Sequence, residues 1–209
     1  MIPVKLVKKG AEGDIYTSMF DDSPAIFKVR KIKPYRNSTL DSRIRRQRTV
    51  REATMLAESK SLGVFTPLVY RVNSNECTIL MQKIDGVIVK DLVGAKLKSA
   101  CEQIGKITAR LHKNGITHGD LTTSNFISAK GKIFAIDFGL AQKSIKVEDH
   151  AADLRLFKEI LSSAHVESMN VLWKSFLAGY RKIIGLERCN KVLDKLAVIE
   201  ERGRYARTE

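Results

Sequence analysis

Asp120 and Asn125 stand five positions apart inside His118-Gly119-Asp120-Leu121-Thr122-Thr123-Ser124-Asn125, and Asp137-Phe138-Gly139 follows downstream. A carboxylate that can accept or orient a hydroxyl proton, an amide oxygen and a second carboxylate recur in this order in kinase-type phosphoryl-transfer sites. In this reading Asp120 orients the attacking hydroxyl or water. Asn125 and Asp137 offer oxygens to Mg2+, a hard cation that keeps oxygen ligands. An apolar strand, Ile133-Phe134-Ala135-Ile136, leads into Asp137. The combination is far more specific than an isolated Asp-Phe-Gly, which is most often a turn. His118 is read as a structural residue of the loop, and the sequence names no partner for His112, His150 or His165.

Such a site needs donors for the phosphates of ATP as well as metal ligands. Lys8-Lys9-Gly10-Ala11-Glu12-Gly13-Asp14-Ile15-Tyr16 falls between two expected strands, where a phosphate-covering loop belongs. Lys8 occupies the first glycine position of GxGxxG, and two glycines in a hairpin are by themselves common. The candidate nucleotide contacts here are Val7, Lys9, Gly10, Ala11, Glu12, Gly13 and Ile15, with Gly10 and Gly13 permitting close backbone approach. Lys28, on the apolar strand Ala25-Ile26-Phe27-Lys28-Val29, is costly to bury unless paired. Glu52 on the following helix is its expected partner, with Lys31 or Lys33 as alternatives to Lys28. Adenine is expected near Gln82 and Ile84, with Met81 lining the pocket.

The elements that must hold these residues read as follows. Val4 to Lys8, Asp14 to Phe20 and Ala25 to Lys31 are strands, with a turn at Asp21-Asp22-Ser23-Pro24. A helix runs from about Thr39 to Ser61 on the spacing of Leu40, Ile44, Val50, Met55 and Leu56, and strands resume at Leu68 to Val72 and Thr78 to Ile84. Beyond Asp85-Gly86 a helix carries Leu92, Val93, Leu97, Ile104, Ile107 and Leu111 on one face. Strands and loops then extend to Asp137, and helices follow at about Ala151 to Ser163, Ser168 to Ile184 and Glu187 to Gly203. The expected fold is α+β and two-lobed, of protein-kinase type: a small antiparallel-sheet N-lobe with one main helix (1–84) and a reduced, mostly helical C-lobe (85–209).

The 209 residues carry a formal net charge of +14. No apolar run approaches the roughly 20 residues needed to span a bilayer, and Met1-Ile2-Pro3-Val4-Lys5 lacks a secretory leader's apolar stretch, so a cytoplasmic protein is expected, nuclear also being open for a eukaryote. Cys77, Cys101 and Cys189 are far apart and form no CxxC pair, which argues for reduced buried thiols over disulfides or zinc. Between Lys28 and Arg51 ten basic residues face the single acid Asp41. This run is either a solvated helix face or a contact surface for nucleic-acid phosphates.

Departures from regulated protein kinases are as informative. Gly119 stands where those enzymes place the arginine that reads a phosphorylated activation loop, and Thr122 stands where a lysine commonly neutralises the transferred phosphoryl group. From Gly139 the chain reaches Asp153 without an APE motif, leaving little chain for a peptide groove. Asp153 is expected either to brace the catalytic loop or to be an ordinary acid at a helix start.

Nearly end to end, these residues resemble the small atypical kinase of the KEOPS (EKC) complex, the PRPK or Bud-thirty-two family. The resemblance rests on Lys9-Gly10-Ala11-Glu12, Tyr35-Arg36, Leu40-Asp41, Ile44, Arg48-Thr49 and Glu52-Ala53. It continues through the 118–125 motif, Asp137-Phe138-Gly139-Leu140, Glu148-Asp149, Asp153-Leu154 and Arg202-Gly203-Arg204. It implies a serine/threonine kinase that autophosphorylates and an ATPase serving threonylcarbamoyladenosine synthesis next to the tRNA anticodon. Its implied partners are the complex's actin-like-fold threonylcarbamoyltransferase and a small regulatory subunit on the N-lobe, and the basic charge of the N-lobe suits that surface to tRNA phosphates. Residues Tyr205 to Glu209 depart from the family's more basic tail. A RIO or aminoglycoside-phosphotransferase type kinase shares the HGD variant and the reduced second lobe, but the KGAE loop and the basic helix argue against it. A nucleotide-binding scaffold without catalysis would need none of Lys28, Glu52, Asp120, Asn125 and Asp137.

Overall fold

The structure is a computed structural model that describes residues 5–10 and 12–205. Val4, Ala11 and the tail 206–209, all included in the expectations above, lie outside the described residues. Contacts divide the chain into two compact units, residues 1–85 with 136–140, and residues 86–135 with 141–209.

The first unit contains β1 (Lys5–Lys9), β2 (Gly13–Phe20), β3 (Ser23–Arg30), α1 (Ser38–Ser61), β4 (Val69–Asn73) and β5 (Thr78–Gln82). Its strands form one antiparallel sheet in the order β1-β2-β3-β5-β4. Asp21 and Asp22 connect β2 to β3 with φ of 45° and 59°. A two-residue turn with both central residues left-handed matches the natural twist of a hairpin, and aspartate tolerates that conformation better than most residues. The turn fixes the register: Ile15 lies opposite Lys28 and Gly13 opposite Arg30, while across β5 Lys28 faces Ile79 and Ile26 faces Met81. Because side chains alternate along a strand, Ile15, Ile26, Lys28, Arg30, Ile79 and Met81 share one face of the sheet.

Helix α1 begins where Asn37 accepts hydrogen bonds from the amides of Thr39 (3.0 Å) and Leu40 (3.3 Å), satisfying two otherwise orphaned donors. Its buried side follows the apolar spacing only in part. Leu40 and Val50 are exposed, and Asp41, Thr49, Glu52, Ala53, Met55, Leu56 and Ser59 are buried. The reason is ionic: Asp41 and Glu52 are buried against cations, so only the C-terminal half of the helix follows an apolar pattern.

The second unit contains β6 (Val87–Ile88), α2 (Gly94–Lys113), β7 (Ile116–Thr117), β8 (Phe126–Ala129), β9 (Lys132–Ala135), β10 (Gln142–Lys143), α3 (Val147–Ala164), α4 (Met169–Ile184) and α5 (Leu186–Tyr205). Strands β6, β8 and β9 form a small antiparallel sheet, and β7 pairs with β10. Val93, expected on the apolar face, is instead the exposed residue preceding α2. Ile104, Leu111, Leu154, Phe157, Phe176 and Tyr180 are fully buried, with the Phe157 and Phe176 rings stacked at 4.4 Å. Cys101 and Cys189 are buried free thiols here, as Cys77 is in the first unit. Burial pushes the Cys101 thiol up to about 12.

Helices α2 and α4 touch backbone to backbone through two glycines. A β-carbon on Gly105 would collide with the Phe176 carbonyl, and one on Gly179 with the Glu102 carbonyl. Gly179→Ala therefore gains about 1 kcal/mol of helix propensity but forces apart a close-packed crossing at a cost of about 1–3 kcal/mol. Chemical denaturation should show a net loss of stability, and an unchanged or raised midpoint would contradict the close crossing.

Candidate active site

On β3 the pleat presents Lys28 beside two carboxylates. Its Nζ lies 2.5 Å from Glu52 Oε1 and 3.0 Å from Asp137 Oδ2, all within the first unit. Glu52 is fully buried, and its other oxygen, Oε2, pairs with Arg30 Nη2. Burial alone would pull the Lys28 ammonium down, but Glu52 and then Asp137 outweigh it and hold its pKa above the ordinary value. Burial pushes the Glu52 carboxyl up, with Lys28 and Arg30 pulling the other way. Asp137 accepts from the Gly139 amide at 2.9 Å through Oδ1, and its side chain keeps 37% exposure. A carboxylate anchored by its own turn yet open to solvent is suited to a divalent cation. Lys31, the alternative to Lys28, instead binds Asp14 at 2.8 Å and the Gly10 carbonyl at 3.2 Å.

The glycines at the turn into β2 are both required by close backbone contacts. The Gly10 amide donates to the Gly13 carbonyl at 3.0 Å. A β-carbon on Gly10 would come within 2.6 Å of that carbonyl, and one on Gly13 within 2.6 Å of the Val29 carbonyl. The Gly10 amide is thus committed to the turn. Glu12 is tied to α1 by Arg48 at 2.7 Å. Val7 lies exposed beside a register shift in β1, Lys9 is exposed at its end, and Ile15 is half-buried opposite Lys28. Met81 is buried, Gln82 and Ile84 are half-buried, and the Gln82 side chain accepts from the Leu68 amide at 3.3 Å. Ile26, overlooked in the sequence, shares the Lys28 face two residues upstream, the signal being the strand's period of two.

In the second unit Asp120 and Asn125 come together. Asn125 Nδ2 donates to both the carbonyl and Oδ2 of Asp120, each at 2.8 Å. The amide nitrogen is thereby fixed on Asp120, which leaves the Asn125 carbonyl oxygen as the atom available to a cation. The Asn125 carbonyl oxygen in the second unit and the Asp137 carboxylate in the first are each oxygen donors of the kind Mg2+ prefers.

The loop itself hangs on Asp153. Its Oδ2 accepts from the His118 amide at 2.6 Å and its Oδ1 from the Gly119 amide at 2.8 Å, so Asp153 braces the loop and is not a plain helix-start acid. Gly119 has φ +74°, a conformation costly for a residue with a side chain, which accounts for glycine at this position. His112, without an assigned partner in the sequence, bonds Asp153 through Nε2 (3.1 Å) and Tyr180 through Nδ1 (2.9 Å). Its ring stacks on His150 at 4.1 Å. Burial works to raise the Asp153 carboxyl, but His112, His118 and the amide donors together hold it below the ordinary 3.8.

Nine of the ten cations between Lys28 and Arg51 sort into two groups. Lys28, Arg30, Lys31, Arg36, Arg45 and Arg48 are paired with carboxylates inside the first unit. Among the described residues Arg43, Arg46 and Arg51 face solvent without a carboxylate partner. Arg43 and Arg46, with Ser38, Thr39, Ser42 and Gln47, line a shallow depression at the start of α1.

Residues 3–166 match the protein kinase domain family. The KEOPS complex subunit Bud32 of Pyrococcus abyssi is 38% identical over 213 residues, spanning 97% of this chain and 96% of that protein. The chain belongs to the Bud32 family of kinases. Proteins named probable bifunctional tRNA threonylcarbamoyladenosine biosynthesis protein, from Methanocaldococcus jannaschii and Methanococcus maripaludis (strain C5), are 41% and 38% identical over 98% of the chain. This chain spans only 37% of their length. The crystal structure of the Rio2 kinase from Chaetomium thermophilum with ADP/Mg2+ and phosphoaspartate superposes with a TM-score of 0.65 at 15% identity. That match covers 97% of this chain and 72% of that one, a likeness of fold alone. The α+β protein-kinase-like architecture expected for a Bud32 protein is the one observed.

Acid should loosen the second unit in two steps. His150 donates from Nε2 to the Ser144 carbonyl (3.2 Å) and lies 3.4 Å through Nδ1 from Arg188 Nη2, which it can accept from only while neutral. Burial, then His112, press its pKa down to about 4 from 6.5. A depressed folded pKa means stability is complete above 6.5 and declines as pH falls toward 4. Asp153, also depressed, contributes stability above 3.8 that is lost as pH falls through its lower folded value. His150→Gln should flatten the upper limb of a plot of Tm against pH and Asp153→Asn the lower one. Limbs unchanged in both variants would remove this account.

Proposed function

We propose that this chain is an ATP-dependent atypical serine/threonine kinase and ATPase of the KEOPS assembly, acting in the cytoplasm in support of threonylcarbamoyladenosine formation in tRNA next to the anticodon. The observation that carries the reading is Lys28 held by two carboxylates, one on α1 and one in the Asp137-Phe138-Gly139 turn. A scaffold would have no need to bury an ammonium between acids. In this reading Lys28 binds phosphate oxygens of ATP and Glu52 holds it in place. Asn125 and Asp137 would each offer an oxygen to Mg2+, which would supply neutralisation of charge on the phosphates. Asp120 orients the acceptor hydroxyl or water and takes its proton. Ile15, Ile26 and Met81 supply the apolar surface for adenine.

The names of the relatives support the assignment to KEOPS and to tRNA modification. The expected partners are the actin-like-fold threonylcarbamoyltransferase, a small regulatory subunit on the first unit, and tRNA. For tRNA the contacts are Arg43, Arg46 and Arg51, since Lys28, Arg30, Lys31, Arg36, Arg45 and Arg48 already neutralise carboxylates. Among the described residues no helix is long and apolar enough to cross a membrane.

Asp120→Ala and Asp137→Ala should each lower ATP turnover and autophosphorylation by about a hundredfold or more. The assay is made with and without the transferase and tRNA, and wild-type rates in both variants would leave a scaffold as the better reading. Separately, tRNA binding should weaken linearly on a plot of log affinity against log salt. Replacing Arg43, Arg46 and Arg51 together by alanine should reduce the slope by about 2 to 3. A slope unaltered by the triple replacement places tRNA elsewhere.

A further inference from the structure

Arg30 has no task in the account above, although it is among the most constrained cations of the first unit. It follows Lys28 by two positions on β3, so the pleat sends both side chains to the same face. Its side chain is 4% exposed. The guanidinium Nη2 pairs with Glu52 Oε2 while Lys28 holds Oε1, so one buried carboxylate is gripped through each oxygen by a different cation. The same nitrogen reaches the Arg48 carbonyl at 3.4 Å, one turn back along α1. It also lies against the metal-binding turn: a β-carbon on Gly139 would sit 3.0 Å from Arg30 Nη2 and 3.1 Å from Asp137 Oδ1. Its Nε is buried without a partner, so the guanidinium is held by one edge.

Two cations and two anions, Lys28, Arg30, Glu52 and Asp137, make a group with no net charge. That balance bears on what Lys28 can do. An ammonium that is the sole counter-ion of a buried glutamate cannot turn toward another anion without stranding it, and a stranded buried charge is strongly destabilising. With Arg30 on the second oxygen, Glu52 stays compensated when Lys28 turns.

We propose that Arg30 is a positioning residue for nucleotide binding: it remains on Glu52 so that Lys28 can be shared with phosphate, and it seats the Gly139 end of the metal-binding turn against α1. This rests on the reading of the Lys28 cluster as a site for Mg-ATP. Lysine would not substitute fully, because a point charge cannot reach the carboxylate, the Arg48 carbonyl and the turn from one planar group.

The test compares wild type, Arg30→Lys and Arg30→Met by calorimetric titration with Mg-ATP, steady-state ATP hydrolysis and thermal denaturation. Arg30→Met should weaken Mg-ATP binding by about tenfold or more and raise KM more than it lowers kcat, with Arg30→Lys between it and wild type. Variants with a lowered Tm but wild-type affinity and KM would make Arg30 merely structural and overturn the proposal. Should neither variant fold, arginine-labelled NMR of the wild type decides. The Arg30 Nη–H signals, which include the bond to Glu52, must stay protected when Mg-ATP is added, and loss of that protection overturns the proposal. A wild-type protein with no affinity for Mg-ATP would take down the nucleotide reading itself and this inference with it, whereas wild-type binding with unaffected variants removes the Arg30 role alone.

Discussion

The first unit is organised by a buried carboxylate that cannot be left alone. Glu52, fully enclosed, is stable there only because Lys28 and Arg30 approach its two oxygens, and those cations are in turn balanced by Asp137. Each member arrives from a different stretch of chain. The β3 pleat delivers the cations, α1 delivers the glutamate, and the turn at 137–139 delivers the second acid. Sheet, helix and turn are therefore fastened by charge at Glu52, next to the apolar contacts of Ala53, Met55 and Leu56.

A second buried carboxylate plays a comparable part in the other unit, by a different route. Asp153 collects two backbone amides and an imidazole, and its task is to hold the backbone of residues 118 and 119 in one shape. Gly119 at φ +74° then turns the chain so that Asp120 and Asn125 meet through their side chains. His112, backed by Tyr180 and stacked on His150, keeps Asp153 ionised without any cation from lysine or arginine. The loop's conformation is thus fixed by donors that are part of the core.

Much of this was readable in the residues before any coordinates. The positions of the five strands, the pairing of Lys28 with Glu52 and the brace at Asp153 follow from motif order and from the cost of burying charge. What escaped were the contacts with no local trace. The partners of His112 lie 41 and 68 positions away, and no periodicity announces Tyr180. The apolar spacing of α1 accounts for the burial of Met55 and Leu56 but not for that of Asp41 and Glu52, which are buried with their counter-ions. Beyond the backbone approach to phosphate expected of them, Gly10 and Gly13 are also required by close contacts with the Gly13 and Val29 carbonyls, which no local pattern signals. Arg30 was legible in principle, being two residues from Lys28, but in the sequence it was one of ten bases in a run.

That run shows why net charge is a poor guide to surface. A formal +14 suggests a polyanion-binding face. Six of the cations between Lys28 and Arg51 are nevertheless engaged with acids from β2, α1, the first loop and the 137–139 turn. The same cations tie Glu12 to α1 and α1 to β3, linking the loop, the helix and the strand. Those pairs are made within the first unit, and because Glu52 is fully enclosed while Glu12 is exposed, burial makes the helix-to-strand link the stronger of the two.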